Sequence, residues 1–191
     1  ATSNGSETVT SVNIGLSISE LDTDDPTTVD YSVTGGTATD GGTDYTLASG
    51  TVVFLANETV GTINISVNNE TLFENNETVI ITLSNPTNSN LDSTLPLAGT
   101  GFITHTYTIT NDDTAPEIQF NATSSRGLET VTTVDFQIDL SMVSGADASA
   151  NYTVAEVTAT NGGVDYTLAS GTITVLAGSV SANITATIIN D

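Results

Sequence analysis

"DGGTDYTLASGT" occupies residues 40–51 and "NGGVDYTLASGT" residues 161–172, so ten of twelve positions recur 121 residues apart. The same layout extends outward from both phrases. Val12, Ile14, Leu16 and Ile18 alternate with polar or small residues, and 122 positions later Val134, Phe136, Ile138 and Leu140 do the same, with Met142 continuing the run. By that offset Glu129 falls on Glu7. From Tyr152 onward the offset is 121, which sets Asp165 on Asp44 and the trio Ile184, Ala186, Ile188 on Ile63, Ile65, Val67. A self-similar period of this size marks one structural unit written twice.

Period-2 alternation is the signature of strands with one buried face. It also runs through Val29, Tyr31, Val33 and through Val79, Ile81, Leu83, and no stretch holds a 3.6-residue period. Turn-forming clusters separate the runs at 34–37, 40–44, 55–61 and 84–90. Short strands at this spacing predict an all-β sandwich. The two copies are unequal. The first has no counterpart to "PEIQFNA" at 116–122, and the second, ending at Asp191, has none to the strands at 78–84 and 102–110. The expected domains are therefore 1–114, opening strand missing, and 115–191, incomplete at its C-terminal end. Such ends would leave core and strand edges uncovered. They call for a longer parent chain or for strands from neighbouring chains.

Composition excludes several functions. Asp and Glu number 23 against a single cation, Arg126, for a net charge of −22. Nucleic-acid binding needs clustered cations and is not expected, and anionic membranes are disfavoured for the same reason. No run approaches the roughly 18 apolar residues of a membrane helix. Without Cys there is no disulfide or thiolate chemistry. His105 is the lone histidine; it alternates with Tyr107 and Ile109 and reads as a hydrogen-bonded residue at a strand start. With no Cys, no Lys and one His, no enzyme is expected. "DTDD" at 22–25 lacks the glycine and distal glutamate of an EF-hand and reads as a loop. The chain opens at Ala1 with no signal-peptide pattern, as a mature protein or an internal piece would.

"VDYSVTGGTATDGGTDYTLASGTVVF" at 29–54, "LFENNETVIITLSNP" at 72–86 and "YTITNDD" at 107–113 together resemble the Calx-beta domains of sodium–calcium exchangers, integrin β4 and microbial surface proteins. "NYTV" and "TATNGGVDYTLASGTITV" carry the signature in the second copy. The resemblance implies two tandem antiparallel, immunoglobulin-like β-sandwiches. It also implies calcium at one end of the sandwich in those members that bind it. The matching positions are Glu7, Asp44, Asn68 to Glu70, Glu74, Asp112 and Asp113 in copy 1, and Glu129, Asp165, Asn190 and Asp191 in copy 2. The resemblance places Glu7, Asp44, Glu74, Asp112 and Asp113 together at the joint between copies. Asn68, Asn69, Asn75 and Asn76 stand where calcium-binding relatives carry acids. Affinity follows ligand charge, so the expectation is a weak extracellular-type site of roughly 10⁻⁴ to 10⁻³ M, not a tight sensor.

Eight N-x-S/T sequons occur, and alternation turns Asn64, Asn121, Asn151 and Asn183 outward; with Asn57 in a turn, these are the candidate glycosylation sites. The functional expectation is a structural or adhesive repeat of an extracellular, cell-surface protein or filament. Calcium would stiffen it, glycans would decorate it, and identical or tandem domains would join it head to tail. The alternatives are a filament subunit polymerising by strand exchange and a calcium-sensing regulatory module.

Overall fold

The computed structural model describes residues 1–19, 23–91 and 103–191. Among them every regular element is a strand. The chain divides into two compact units: unit 1 is Ala1–Thr71 with Asn75–Asp112, and unit 2 is Leu72–Glu74 with Asp113–Asp191.

Unit 1 contains β1 (Thr2–Ser6), β2 (Ser11–Ser17), β3 (Thr27–Gly36), β4 (Tyr45–Thr46), β5 (Gly50–Phe54), β6 (Val60–Val67), β7 (Glu77–Thr87) and β8 (Thr104–Thr110). They form a five-stranded sheet in the order β1-β8-β7-β3-β5 and a three-stranded sheet in the order β2-β6-β4. The alternation read from the sequence is the burial pattern of the strands. On β6, Ile63, Ile65 and Val67 are buried and their neighbours exposed. These meet Val29, Val52, Phe54, Val79, Ile81, Tyr107 and Ile109 in one core. Each fully buried aliphatic or aromatic side chain stabilises the fold by about 1.5–3 kcal/mol, before the entropy of ordering is subtracted.

Unit 2 contains β9 (Ile118–Phe120), β10 (Thr133–Leu140), β11 (Ala148–Tyr152), β12 (Tyr166–Thr167), β13 (Gly171–Val175) and β14 (Ser181–Ile188). Its sheets run β12-β14-β10-β9 and β11-β13. Buried apolar residues here are Ile138, Leu140, Ala146, Val175, Ile184 and Ala186.

Three details differ from the sequence reading. Residues 2–6, where no strand was expected, form β1, and its pairing with β8 is parallel in an otherwise antiparallel unit. The turn expected at 84–90 begins later, because β7 runs to Thr87. A register shift between Thr28 and Asp30 of β3 accommodates Asn85, at φ 47°, and Pro86, which has no N–H to give the ladder. Met142 does not continue the β10 face. The strand ends at Leu140 and Met142 is exposed. Asp22 of the "DTDD" segment lies outside the described residues, and 23–25 are a bend.

The repeated phrase is a tight loop between strands in both units. Gly41 and Gly42 have φ of 88° and 91°, Gly162 and Gly163 of 81° and 95°, a region that side chains disfavour. Asp40 Oδ1 accepts from the N–H of Gly41 and Leu47, and Asn161 Oδ1 from those of Gly162 and Leu168. The two residues that differ most in charge thus do the same work.

Candidate metal centre

Four loops at one end of unit 1 hold the acidic residues. The first follows β1. Glu7 N–H donates to Thr110 O at 3.3 Å and the Thr110 hydroxyl to Gly5 O at 3.0 Å, which ties this loop to the end of β8. The second is the repeated phrase, where Asp44 Oδ2 accepts from Thr39 N–H. The third follows β6: Asn68 N–H donates to Asp44 O and Asn68 Nδ2 to Thr43 O, both at 2.8 Å. The fourth follows β8, where Asn111 N–H donates to Asn76 Oδ1 at 3.1 Å. Asn68 and Asn76 therefore serve as ties between loops.

This lacing brings carboxylates into pairs. A carboxylate oxygen of Glu7 lies within 4.8 Å of one from Glu70, and Asp44 stands in the same relation to Glu77. Glu7 and Asp44 are buried, at 6% and 8% exposure, and Glu70 and Glu77 are half-buried. Like charges about 5 Å apart repel by on the order of 3 kcal/mol at an effective dielectric near 20. A divalent cation between them converts that repulsion into attraction. Only hard oxygens are offered, the donor set of calcium rather than of zinc or copper. The Tyr45 phenol next to this end is pushed up by burial and then by the Asp40 and Asp44 carboxylates.

The other sequence-selected residues are placed as follows. Asp112 is exposed one residue beyond Asn111 and stands outside both pairs. Glu74 and Asp113 belong to unit 2 and border the boundary. In unit 2, Asp165 is half-buried and its Oδ2 accepts from Thr160 N–H, as Asp44 does from Thr39. Glu129 and Asp191 are exposed. Among the described residues, none of Glu129, Asp165 and Asp191 joins a group of three metal-competent side chains.

Glu77 was missed by the sequence reading. Its signal was its place at the first position of β7, three residues after Glu74 and directly before the Val79–Ile81 alternation. The Ser3–His105 contact, Oγ to Nε2 at 2.7 Å, was also unforeseen, because it depends on the parallel β1–β8 pairing. Burial and then the Ala1 ammonium hold the His105 imidazole below its ordinary pKa.

The candidate glycan acceptors Asn57, Asn64, Asn121, Asn151 and Asn183 are all exposed. Nδ2 of Asn64 donates to Ser11 and Asn13, that of Asn121 to Asp139, and that of Asn183 to Asp135. These cross-strand ladders line the polar sheet faces.

Among solved structures the chain is similar to calcium binding domain CBD12 of CALX1.1, with a TM-score of 0.50 and 21% identity over 100% of this chain and 74% of that one. It is also similar to CBD12 from CALX1.2, with a TM-score of 0.49, 21% identity and the same coverage. At this identity the likeness concerns the fold. The Calx-beta domain family matches over residues 1–107 and 111–191. Two matched segments, the alternating strands and the paired acids at a sandwich end lead to one conclusion: the chain belongs to the Calx-beta family.

Proposed function

We infer that unit 1 binds calcium and that the chain is a non-enzymatic structural repeat of an extracellular surface protein or filament. The observation that carries the calcium reading is the two close carboxylate pairs, Glu7 with Glu70 and Asp44 with Glu77, held by four laced loops. The solved relative of CALX1.1 is described as a calcium binding domain, which supports the same ion. Glu7 with Glu70 and Asp44 with Glu77 are the proposed ligands at two positions, and backbone carbonyls and water fill the remaining places of each six- to eight-oxygen shell. Asp112, exposed beside them, adds to the local negative field that attracts the cation. Bound calcium neutralises like charges and stiffens this end of the unit. Neutral Asn68, Asn69, Asn75 and Asn76 keep the affinity low, which favours a structural ion in a calcium-rich extracellular medium over a sensor.

The extracellular reading rests on the absence of Cys and Lys, the sheet faces rich in Thr, Ser and Asn, and the exposed sequons. Asn57 sits at a turn with φ 70°, and Asn151 enters the ladders through its Oδ1, which accepts from the Thr172 hydroxyl, and not through the Nδ2 that a glycan would take. The test is calcium titration of the melting temperature of the chain, with Glu70→Gln and Glu77→Gln beside it. Unit 1 should gain stability at millimolar calcium by mass action, and both variants should blunt the gain. Identical melting in calcium and in chelator would remove the calcium reading.

A further inference from the structure

Asn-Gly occurs twice in the chain, at Asn4–Gly5 and at Asn161–Gly162. A glycine has no side chain to shield its own amide nitrogen, so in such a pair that nitrogen can reach the side-chain carbonyl of the asparagine before it. The two pairs are placed differently. Asn4 and Gly5 lie in β1, registered against Thr108 and Ile109 of β8, and the Tyr107 hydroxyl packs over Gly5. Asn161 and Gly162 lie in the turn of the repeated phrase, outside any strand. Gly162 is exposed at φ 81°, and beyond its chain neighbours no atom stands within 4 Å of where a Cβ would be. Its N–H donates to Asn161 Oδ1 at 2.8 Å, which holds the nitrogen beside the amide group it would attack. Leu168 N–H donates to the same Oδ1 at 3.0 Å, and Asn161 Nδ2 donates to Leu168 O at 2.6 Å. The side chain is thus fixed next to a nucleophile, with a second backbone donor on its carbonyl oxygen.

We propose that Asn161 is a site of spontaneous deamidation, a self-modification that gives the second phrase the acid carried by the first. Hydroxide takes the Gly162 amide proton, and the nitrogen adds to Cγ of Asn161. Negative charge grows on Oδ1, where the Leu168 N–H already points. The Cγ–Nδ2 bond then breaks, Nδ2 takes a proton from water and leaves as ammonia, and a cyclic succinimide remains. Water opens the ring at Cγ to give aspartate, or at the backbone carbonyl to give isoaspartate. The net change is one water in and one ammonia out, with no oxidant or reductant. The turn accommodates the aspartate product. Asp40 Oδ1 accepts from Gly41 N–H at 2.7 Å and from Leu47 N–H at 3.3 Å, the same pair of bonds. What the product loses is the Nδ2 bond to Leu168 O, so the modified turn is held by one tie fewer. Asp40 is the unreactive member of the pair, because an ionised carboxylate resists addition of a nucleophile. This inference rests on neither the calcium reading nor the repeat-module reading.

The test incubates the full chain, made without glycans, at neutral and mildly alkaline pH, both folded and in denaturant. Peptide mass spectrometry follows positions 4 and 161, and enzymatic methylation detects isoaspartate. In the folded chain Asn161 should convert within severalfold of its rate in denaturant, and faster as pH rises, because Gly162 must lose a proton. Asn4 should convert at least about tenfold more slowly folded than in denaturant, since β1 must first open. Asp40→Asn should bring the reaction to position 40, where Gly41 and Leu47 offer the same donors. That variant folds, because the same turn already carries asparagine in unit 2. Folding that slows Asn161 as much as Asn4, a conversion rate that does not change with pH, or an amide that persists at position 40 of Asp40→Asn would each overturn the proposal.

Discussion

Tyr45 and Tyr166 sit in the same sequence, on the same two-residue strand, after the same glycine turn, and yet the first is 3% exposed and the second half-buried. Leu47 and Leu168 differ in the same way, as do Asp44 and Asp165. Local sequence fixes the turn, since Asp40 and Asn161 make matching bonds to the next glycine and to the following leucine. Burial is fixed elsewhere, by whether β7 and β8 lie over the face. Conformation is thus a property of the phrase and energy a property of its neighbours.

The largest way to break this comparison is to truncate both tyrosines. Tyr45→Ala should cost about 3–5 kcal/mol, the range for a large aromatic lost from a packed core, and Tyr166→Ala roughly half of that or less. Denaturant unfolding read by probes in each unit decides it, and equal losses would show that unit 2 packs as densely as unit 1. The glycine pair Gly5 and Gly127 is next. A Cβ on Gly5 would clash with the Tyr107 hydroxyl, whereas one on Gly127 has Val131 Cγ2 at 3.8 Å as its nearest neighbour. Gly5→Ala should destabilise unit 1 by about 1–3 kcal/mol through overpacking, and Gly127→Ala should stay within about 0.5 kcal/mol.

The turn residues provide a smaller, sign-reversed pair. Asn161 Nδ2 donates to Leu168 O at 2.6 Å, a bond that a carboxylate cannot make. Asn161→Asp should cost about 1 kcal/mol and Asp40→Asn should recover a similar amount in unit 1. Melting of the two single variants is the measurement, and shifts of the same sign would contradict the shared geometry. The smallest effect concerns pH. The His105 imidazole is held below its ordinary pKa in the fold, so the unfolded chain takes up the proton first. Its stabilising effect is complete above the ordinary histidine value of about 6.5 and is lost as pH falls below it. Unit 2 has no histidine. Between neutral and mildly acid pH the stability of unit 1 should fall more than that of unit 2, and His105→Gln should abolish the difference.

The fold was legible because alternation and turn chemistry are local. Val12 to Ile18 and Ile63 to Val67 needed only their own spacing to be read as strands with one buried face. β1 was not legible, because Thr2–Ser6 has no apolar alternation and is a strand only through its parallel contact with β8, a hundred residues away. At the acidic end, Glu7, Asp44 and Glu70 were found from family positions. Glu77 was hidden as the first residue of a strand, and the structural use of Asn68 and Asn76 depends on loops that meet only in three dimensions.

The most direct test of the account is amide hydrogen exchange of the chain in millimolar calcium and in chelator. Calcium should slow exchange in the loops that carry Glu7, Asp44 and Glu70 and at the start of β7, which carries Glu77, leave 161–172 unchanged, and lose its effect around Glu7 and Glu70 in Glu70→Gln. Exchange that is the same with and without calcium at all four of these places, or that slows equally at Asp44 and Asp165, would contradict it.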